Sequence, residues 1–216
     1  MLSVKLDNVA IVVISDSNNP RLLNPDFLER NSIVPKEWKV KDVLVTPPFA
    51  RVLYDNGVQI ILEENKLHIV SQQPDMVSWE HELPAIATSF LDVLPHVSYR
   101  SVGLNYVFLS DQPRGVEAEN TLIDKFLKQG SWLDFGQGMT GATLEFQYRA
   151  TQPQMNVKIG VLERRDSSGA TLEGFIFTVN FHHDFKTEEK KERATYINSI
   201  GLKQTEFLQF LEKLPL

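Results

Sequence analysis

The chain has 216 residues, a net charge of −6 and no cysteine, and its balance of apolar and charged residues is typical of folded proteins. The absence of cysteine excludes a disulfide framework, a thiolate nucleophile and a sulfur-ligated metal, and it fits a reducing cytoplasm. The acidic balance argues against a nucleic-acid partner, because such proteins concentrate Lys and Arg on one face. The first apolar run, Val9 to Ile14, is too short for a signal-peptide core or a membrane span. We therefore expect a cytoplasmic protein without a membrane partner.

The first half predicts a strand, a short helix and then four more strands. The first strand covers Val4 to Ile14, and a helix begins at Pro25 after the N-cap residue Asn24 and ends near Arg30. The four strands are predicted over 38–45, 50–55, 58–62 and 67–71. Asn56-Gly57 predicts a type I′ hairpin turn, in which both residues need positive φ. Connections this short make neighbouring strands antiparallel, so the sequence predicts a meander.

A long amphipathic helix follows the meander. Its apolar residues are spaced by four, three, four and three positions, which places them on one helical stripe: Trp79, Leu83, Ile86, Phe90 and Val93. This stripe predicts a helix that packs on the meander.

The second half predicts the same order of elements. A strand over 97–109 precedes a helix over 117–128 and three long strands, and residues 142–150 alternate between apolar and polar side chains. A closing helix is predicted from Thr187 to Leu214, with a possible break at Ser199-Ile200-Gly201. Its segment Lys190-Lys191-Glu192-Arg193 is typical of a solvated helix face.

Short sequence echoes indicate an internal duplication. Phe90-Leu91-Asp92-Val93-Leu94-Pro95 resembles Phe210-Leu211-Glu212-Lys213-Leu214-Pro215, and Val9 to Asp16 resembles Leu104 to Asp111. We therefore predict one α+β domain made of two tandem β-α-β(3-4)-α repeats, over about 1–96 and 97–216. The repeats would form one curved antiparallel sheet backed by two long helices. A helix-grip fold, in which the sheet wraps a terminal helix, is the alternative.

This order of elements resembles the architecture of TATA-box-binding protein. The resemblance implies two units joined edge to edge in one sheet, and it implies no DNA-binding function, because no intercalating phenylalanine pair or basic sheet face can be matched here. The stretch Tyr99-Arg100-Ser101-Val102-Gly103-Leu104-Asn105-Tyr106 also resembles an Arg-x-x-Gly-Leu-x-Tyr-like strand in a family of uncharacterised bacterial proteins.

A glycine-rich segment is the first candidate site. Residues 136–141 have the spacing of a dinucleotide-binding loop, but that mechanism needs a helix after the glycines, and here an alternating strand is predicted. We interpret the segment as a glycine loop entering a strand, and we predict no cofactor. The residues around it that would contact a ligand or partner are Trp132, Phe135, Met139 and Thr140.

Two pairs of polar residues are the other candidates. His182 and Asp184 share one face at the end of a strand, with His183 on the opposite face, and they supply half of a zinc site. A structural strand-end pair is the favoured alternative for them. Asp16 and Asp111 follow Ser at equivalent places in the two halves. They could form a symmetric pair at a functional edge, but we favour the interpretation that Ser-Asp after a strand hydrogen-bonds the backbone of the turn.

No motif in the sequence predicts a catalytic residue. We expect a non-catalytic protein-interaction or assembly module, in which a protein partner, possibly a second copy, binds an exposed sheet face or edge. The alternatives are a binder of a small apolar ligand between the sheet and the C-terminal helix, and a metal-dependent hydrolase that uses His182 and Asp184.

Overall fold

The computed structural model describes residues 2–110, 117–148, 153–165, 171–186 and 189–216. These residues form a mixed α+β fold with one nine-stranded antiparallel sheet and five α-helices, which confirms the predicted class. Three details of the sequence predictions lie outside the described residues: Asp111, residues 149–150 at the end of a predicted strand, and the predicted helix start at Thr187.

The elements alternate between groups of strands and helices along the chain. In order they are β1 (Lys5–Ser15), α1 (Pro25–Arg30), β2 (Val40–Thr46), β3 (Phe49–Tyr54), β4 (Val58–Glu63), β5 (Lys66–Ser71), α2 (Trp79–Val93), β6 (Tyr99–Leu109), α3 (Ala118–Phe126), β7 (Leu144–Tyr148), β8 (Gln154–Arg165), β9 (Thr171–Asp184), α4 (Lys190–Ile197) and α5 (Ile200–Leu211).

The first strands of the two predicted repeats, β1 and β6, pair with each other in the middle of the sheet. The order is β2-β3-β4-β5-β1-β6-β9-β8-β7, so β1 pairs with β5 on one side and with β6 on the other. The two edge strands are β2 and β7. Each of them pairs with one neighbour within the described part of the chain.

The helices cover one face of this sheet, which we call the helical face. Ring contacts join it to α2 through Trp79 and Tyr106, to α3 through Phe126 and Phe146, and to α5 through Phe108 and Phe207. The helix α1 packs on α2, where Phe27 meets Phe90, and α4 packs on the end of β9, where Tyr196 stacks on His183. A row of phenylalanines on β9 is fully buried on this face: Phe175, Phe177 and Phe181.

The opposite face of the sheet is its open face, which none of the described helices covers. The residues on it follow from the strand register: Ala10 and Val12 on β1 lie beside Asn105 and Gly103 on β6, which in turn lie beside Asn180 and His182 on β9. Most of its side chains are half-buried rather than buried.

Local sequence signals explain α1 and α2. The side chain of Asn24 accepts a hydrogen bond from Phe27 N at 2.9 Å, and Pro25 occupies the first helical position, where its missing N–H costs nothing. The helix α2 begins at Trp79 and ends at Val93 as predicted, and the middle of its apolar stripe, Leu83 to Phe90, is buried in the core.

The hairpin between β3 and β4 corrects one prediction. Gly57 has φ of +81°, but Asn56 is absent from the residues with positive φ, so the turn is not type I′. Instead Gly57 N donates to Tyr54 O, and the Asn56 side chain accepts from Val58 N at 3.1 Å. This bond from the backbone two residues further on stabilises ordinary φ at Asn56, so of these two residues only the glycine adopts the left-handed conformation.

The closing helical segment is two helices rather than one. The helix α4 ends at Ile197, and α5 begins at Ile200 after a turn at Asn198 and Ser199, so the predicted break is confirmed. Gly201 does not cause it, because this glycine lies inside α5. A β-carbon at Gly201 would lie 3.3 Å from the Glu80 carboxylate, which shows how closely α5 approaches α2.

Candidate functional site

The four residues predicted to contact a ligand or partner lie on one loop before the edge strand β7. Trp132 belongs to a short 3₁₀ turn, Ser131–Asp134, and Met139 N donates to Leu133 O at 2.8 Å, which folds the glycine segment back on this turn. Phe135 is 87% exposed, and Trp132, Met139 and Thr140 are exposed too. The structure thus brings these side chains together on one exposed loop.

The glycines of this loop adopt the conformations that only glycine adopts easily. Gly136 and Gly138 have φ of +69° and +90°. No helix follows them, because the next regular element is β7, so the helix N-terminus that a dinucleotide pyrophosphate needs is absent from this part of the described chain. Near its end the loop approaches α3, where a β-carbon on Gly141 would lie 2.8 Å from Glu119 Oε1.

His182 and Asp184 lie together on the open face at the end of β9. Their side chains are 2.9 Å apart, between His182 Nε2 and Asp184 Oδ1, and both are substantially exposed. Among the described residues no group of three or more His, Asp or Glu could hold a metal ion. His68 shares the open face, but β5 and β9 are three strand spacings apart, about 14 Å, so it cannot complete the pair.

His183 points to the helical face, as the alternation predicts. Its ring stacks on Tyr196 with a centroid distance of 4.5 Å, and its Nε2 lies 3.1 Å from Glu192 Oε1. The same carboxylate oxygen accepts from Lys186 N. His183 therefore connects the end of β9 to α4.

A row of amide side chains crosses the open face on β6, β9 and β8. Asn180 Nδ2 donates to Asn105 Oδ1 at 2.8 Å, and Asn156 Nδ2 donates to Asn180 Oδ1 at 3.4 Å. Gln147 on β7 lies next to Asn156 in the register and continues the row to the sheet edge. No sequence pattern predicts this row, because its members are distant in sequence and only the strand register brings them together.

The other half of the open face is more apolar. Leu53, Ile61 and Val70 occupy successive strands from β3 to β5, and they are followed by Ala10 and Val12 on β1. The open face is thus richer in apolar side chains on the side of β2, where Arg51, Gln59 and His68 also lie, and richer in amide side chains on the side of β7.

The edge strand β2 exposes apolar side chains on both faces of the sheet. Val43 and Val45 point to the helical face and Leu44 to the open face, and each is more than 40% exposed. The register shifts between Val40 and Asp42, and Arg51 on β3 binds the Asp42 carboxylate. The register shift and the Asp42–Arg51 pair lie at the start of the edge, and Pro47-Pro48 follows its end. Between them, Val43 to Thr46 is a regular strand whose outer side pairs with no strand of the described chain.

The loop after β1 contains the contact that replaces the expected turn interaction of Asp16. Arg100 Nε donates to Asp16 Oδ1 at 2.5 Å, and Arg100 Nη2 also binds Asp16 Oδ2. This hydrogen-bonded guanidinium holds the pKa of the Asp16 carboxyl below its usual value. The expectation that Asp16 binds its own turn backbone through its carboxylate is therefore wrong, because a bidentate cation is the stronger partner.

A polar cleft lies beside this ion pair. It has a volume of about 750 Å³ and is lined by Asp16, Ser17, Asn18, Asn19, Pro20, Pro47, Pro48, Glu63, Glu64 and Asn65. Asn18 holds the loop after β1 against the β4–β5 turn at this cleft. The Asn18 side chain donates to Glu63 O at 3.1 Å, and the Asn18 backbone N–H donates to Glu64 O. The cleft is a consequence of the way the loop after β1 packs on the β4–β5 turn.

Comparisons with protein-family models, with curated proteins and with solved structures found no match to this chain. None of the helices within the described ranges is both long enough and apolar enough to cross a lipid bilayer.

Proposed function

We propose that this protein is a non-catalytic assembly module that associates with a second copy of itself through the β2 edge. The observation that carries the proposal is the run Val43-Leu44-Val45, which is exposed on an edge strand whose outer backbone groups have no partner strand in the described chain. Sheet edges of this kind bind other strands, and natural proteins usually protect them with charges, bulges or proline.

The composition of the edge favours a second copy as the partner. If two β2 strands pair antiparallel about Leu44, that residue faces itself, Val43 faces Val45, and Asp42 faces Thr46. No like charges oppose each other in these pairs, although the chain as a whole has a net charge of −6. An edge contact of this size is small beside the roughly 1,200–2,000 Å² of a stable interface, so we expect a dimer that dissociates on dilution.

The predicted duplication supports the choice of β2. Reading outward from the β1–β6 contact, the order is β5, β4 and β3 on one side and β9, β8 and β7 on the other. This order supports two repeats arranged as in the architecture of TATA-box-binding protein, with β2 as an additional strand that has no counterpart among the described residues of the second half. We propose that the additional strand is the assembly element. The absence of cysteine supports the further proposal that the module acts in the cytoplasm.

The first alternative is a binder of a small apolar ligand between the sheet and the C-terminal helix. The interior between the sheet and α5 is filled by the contacting rings of Phe108, Phe177 and Phe207. A groove of about 340 Å³ beside the end of α5 is the better candidate for a site of this kind. Its apolar lining is Leu2, Val4, Leu208, Leu211, Leu214 and Leu216. The second alternative is a metal-dependent hydrolase that uses His182 and Asp184. The short distance between these two side chains supports it.

Sedimentation over a wide range of protein concentration tests the proposal. We expect a monomer–dimer equilibrium in the unmodified protein that Leu44→Lys shifts to monomer, because a lysine pair would face itself at the centre of the contact. Leu202→Lys is the matched control, since Leu202 is 74% exposed on α5 and the substitution is the same. A monomer at every concentration, or equal effects of the two variants, contradicts the proposal.

A cross-linking experiment tests the register. The chain has no cysteine, so Leu44→Cys introduces one thiol without background. We expect Leu44→Cys to form an intermolecular disulfide on mild oxidation, because residues that face each other in an antiparallel pair have suitable Cα distances. Leu202→Cys is expected to remain uncross-linked under the same conditions, and equal cross-linking of both variants would indicate random collision.

A further inference from the structure

Arg193 is a buried cation without a carboxylate partner in the described part of the chain. The residue is 7% exposed, and its Nε is buried without a hydrogen-bond acceptor. Its guanidinium lies 5.3 Å from the centre of the Tyr99 ring. A solvated helix face was predicted for this segment, and that prediction is wrong for Arg193, because α4 turns this position toward α2.

Burial without a counter-ion is unfavourable for a charged group. A guanidinium loses its hydration when it is buried, and a ring face compensates for only part of that loss. The Tyr99 hydroxyl donates to Leu94 O at 3.2 Å, and it does not serve as the acceptor for Arg193 Nε. Arg193 therefore needs an anion or ordered water from outside the described residues.

A small cavity adjoins the guanidinium. Its volume is about 60 Å³, and its lining is Thr88, Leu91 and Asp92 from α2 and Lys190, Arg193 and Ala194 from α4. A water molecule needs roughly 10–15 Å³ of such space, so the cavity has room for a few waters or for one small anion. Asp92 and Lys190 lie at its mouth, where both side chains are more than half exposed.

The charges around the cavity favour an anion over water. Lys190 and Arg193 lie in the first half of α4, near the positive end of its helix dipole. The acidic group facing them is Asp92, and its Oδ1 is 3.0 Å from Lys190 Nζ, so the lysine already engages it. Thr88 donates its hydroxyl proton to backbone carbonyls of α2. Among the residues that line the cavity, one carboxylate thus faces two cations.

We propose that this cavity is a binding site for a small inorganic oxyanion, with inorganic phosphate as the probe. Arg193 donates hydrogen bonds to the anion from the interior and Lys190 closes the site at its mouth, so that the anion connects α4 to α2. The size of the cavity excludes a nucleotide or a sugar phosphate from its interior. The site is independent of the proposed association through β2, because all the residues that line it belong to α2 and α4.

Thermal unfolding in phosphate tests the site, at an ionic strength held constant with sodium chloride. We expect the Tm of the unmodified protein to rise by about 3 °C at a phosphate concentration ten times the Kd. Arg193→Met keeps the apolar stem of the side chain but removes the guanidinium and its charge, and we expect it to abolish the rise. In phosphate-free buffer the same variant is expected to be at least as stable as the unmodified protein, because an uncompensated charge has been removed.

Two further variants keep the experiment decisive if Arg193→Met folds poorly. Lys190→Met changes an exposed side chain, and we expect it to weaken phosphate binding about tenfold in isothermal titration calorimetry. Lys203→Met is the matched control, since Lys203 also lies 5.3 Å from a ring centre, that of Phe181, but is paired with Glu206 at 2.6 Å. Its phosphate response should equal that of the unmodified protein. An unmodified protein that shows neither a Tm rise nor binding heat overturns the proposal, and so does an equal response in all variants.

Discussion

Asp16 and Arg100 form a two-point ion pair that connects the end of β1 to the start of β6. The residues are 84 positions apart in sequence, and the pairing of β1 with β6 brings them together. Asp16 N also donates to Ser98 O at 3.0 Å, so the two chain segments are joined by backbone and side chains at the same place. The pair thus fastens one end of the contact between the two central strands.

The first prediction concerns the acid titration of this pair. Arg100 lowers the pKa of Asp16, so the pair stabilises the fold above the ordinary carboxyl pKa of 3.8, and its contribution is lost as the pH falls through the lowered value. We expect an NMR titration of the Asp16 carboxyl to give a pKa below 3.8 in the unmodified protein and a value closer to 3.8 in Arg100→Gln. The difference should shrink in high salt, because both side chains are exposed. An unchanged titration in Arg100→Gln would show that the guanidinium does not act on Asp16.

The second prediction concerns Gly103, which lies between Val12 and His182 on the open face. A β-carbon at this position would lie 2.8 Å from Asn180 Nδ2, the atom that donates to Asn105. Replacing a strand glycine by alanine usually stabilises a sheet, but here the new methyl must displace Asn180 and break the amide row. We therefore expect Gly103→Ala to destabilise the fold by about 1–3 kcal/mol in urea unfolding.

A double-mutant cycle identifies the cause. In an Asn180→Ala background the obstructing side chain is absent, so Gly103→Ala is expected to be neutral or slightly stabilising. The same loss in both backgrounds would mean that Gly103 is required by the backbone rather than by Asn180.

Particular residues show how far the sequence predicts this fold. The spacing from Trp79 to Val93 is a local signal, and α2 has these boundaries; Asn24-Pro25 similarly predicts the start of α1. Contacts that depend on strand register were not predictable, because no local pattern relates Asp16 to Arg100 or Asn105 to Asn180. The predicted solvated helix face is wrong at Arg193 for the same reason. Its neighbours in sequence are charged, but its burial depends on how α4 packs on α2.

Some features of the candidate sites can likewise be predicted from the sequence, and others cannot. The exposed loop with Trp132 and Phe135 was predictable, since glycines and large apolar residues without periodicity indicate an irregular exposed segment. The pairing of His182 with Asp184 followed from the alternation of a strand. The exposure of β2 was not predictable, because an apolar strand reads the same at an edge as in the middle of a sheet, and only the strand order distinguishes them.

The third prediction concerns the pH dependence of stability through His68. This side chain is half-buried on the open face, and its Nε2 lies 3.6 Å from Glu63 Oε1, which is too long for a hydrogen bond. Burial lowers the pKa of His68 and outweighs the opposing effect of Glu63, while Lys66 lowers it further. The unfolded chain therefore binds a proton at a higher pH than the folded chain does, so stability falls as the pH drops below the ordinary value of 6.5.

Urea unfolding between pH 8 and pH 5 measures this effect. We expect His68→Leu to lose less stability than the unmodified protein as the pH is lowered, because leucine packs beside Val12 and Ile61 without a proton to bind. The exposed His96 provides the control, and His96→Leu should keep the pH profile of the unmodified protein. If His68→Leu and the unmodified protein have parallel profiles, His68 is not the group that couples folding to pH.

The fourth prediction uses two glycines that lie in opposite backbone regions. Gly201 lies in the first turn of α5, where its backbone is helical and φ is not positive, and the nearest atoms to a new β-carbon belong to the exposed carboxylate end of Glu80, at 3.3 Å. That flexible end can move by a few tenths of an ångström at little cost. Alanine in a helix is favoured over glycine, so we expect Gly201→Ala to stabilise the protein by about 0.5–1 kcal/mol.

Gly57 is the matched counterpart, because the same substitution there should have the opposite sign. Its φ of +81° is one that a residue with a β-carbon adopts only with strain, and the new methyl would also lie 3.1 Å from Gln73 Cβ. We expect Gly57→Ala to destabilise the fold by about 1–2 kcal/mol, measured in the same urea titrations. Stabilisation at Gly57 would show that the β3–β4 turn can change its type, and destabilisation at Gly201 would show that the Glu80 side chain is held in place between α2 and α5.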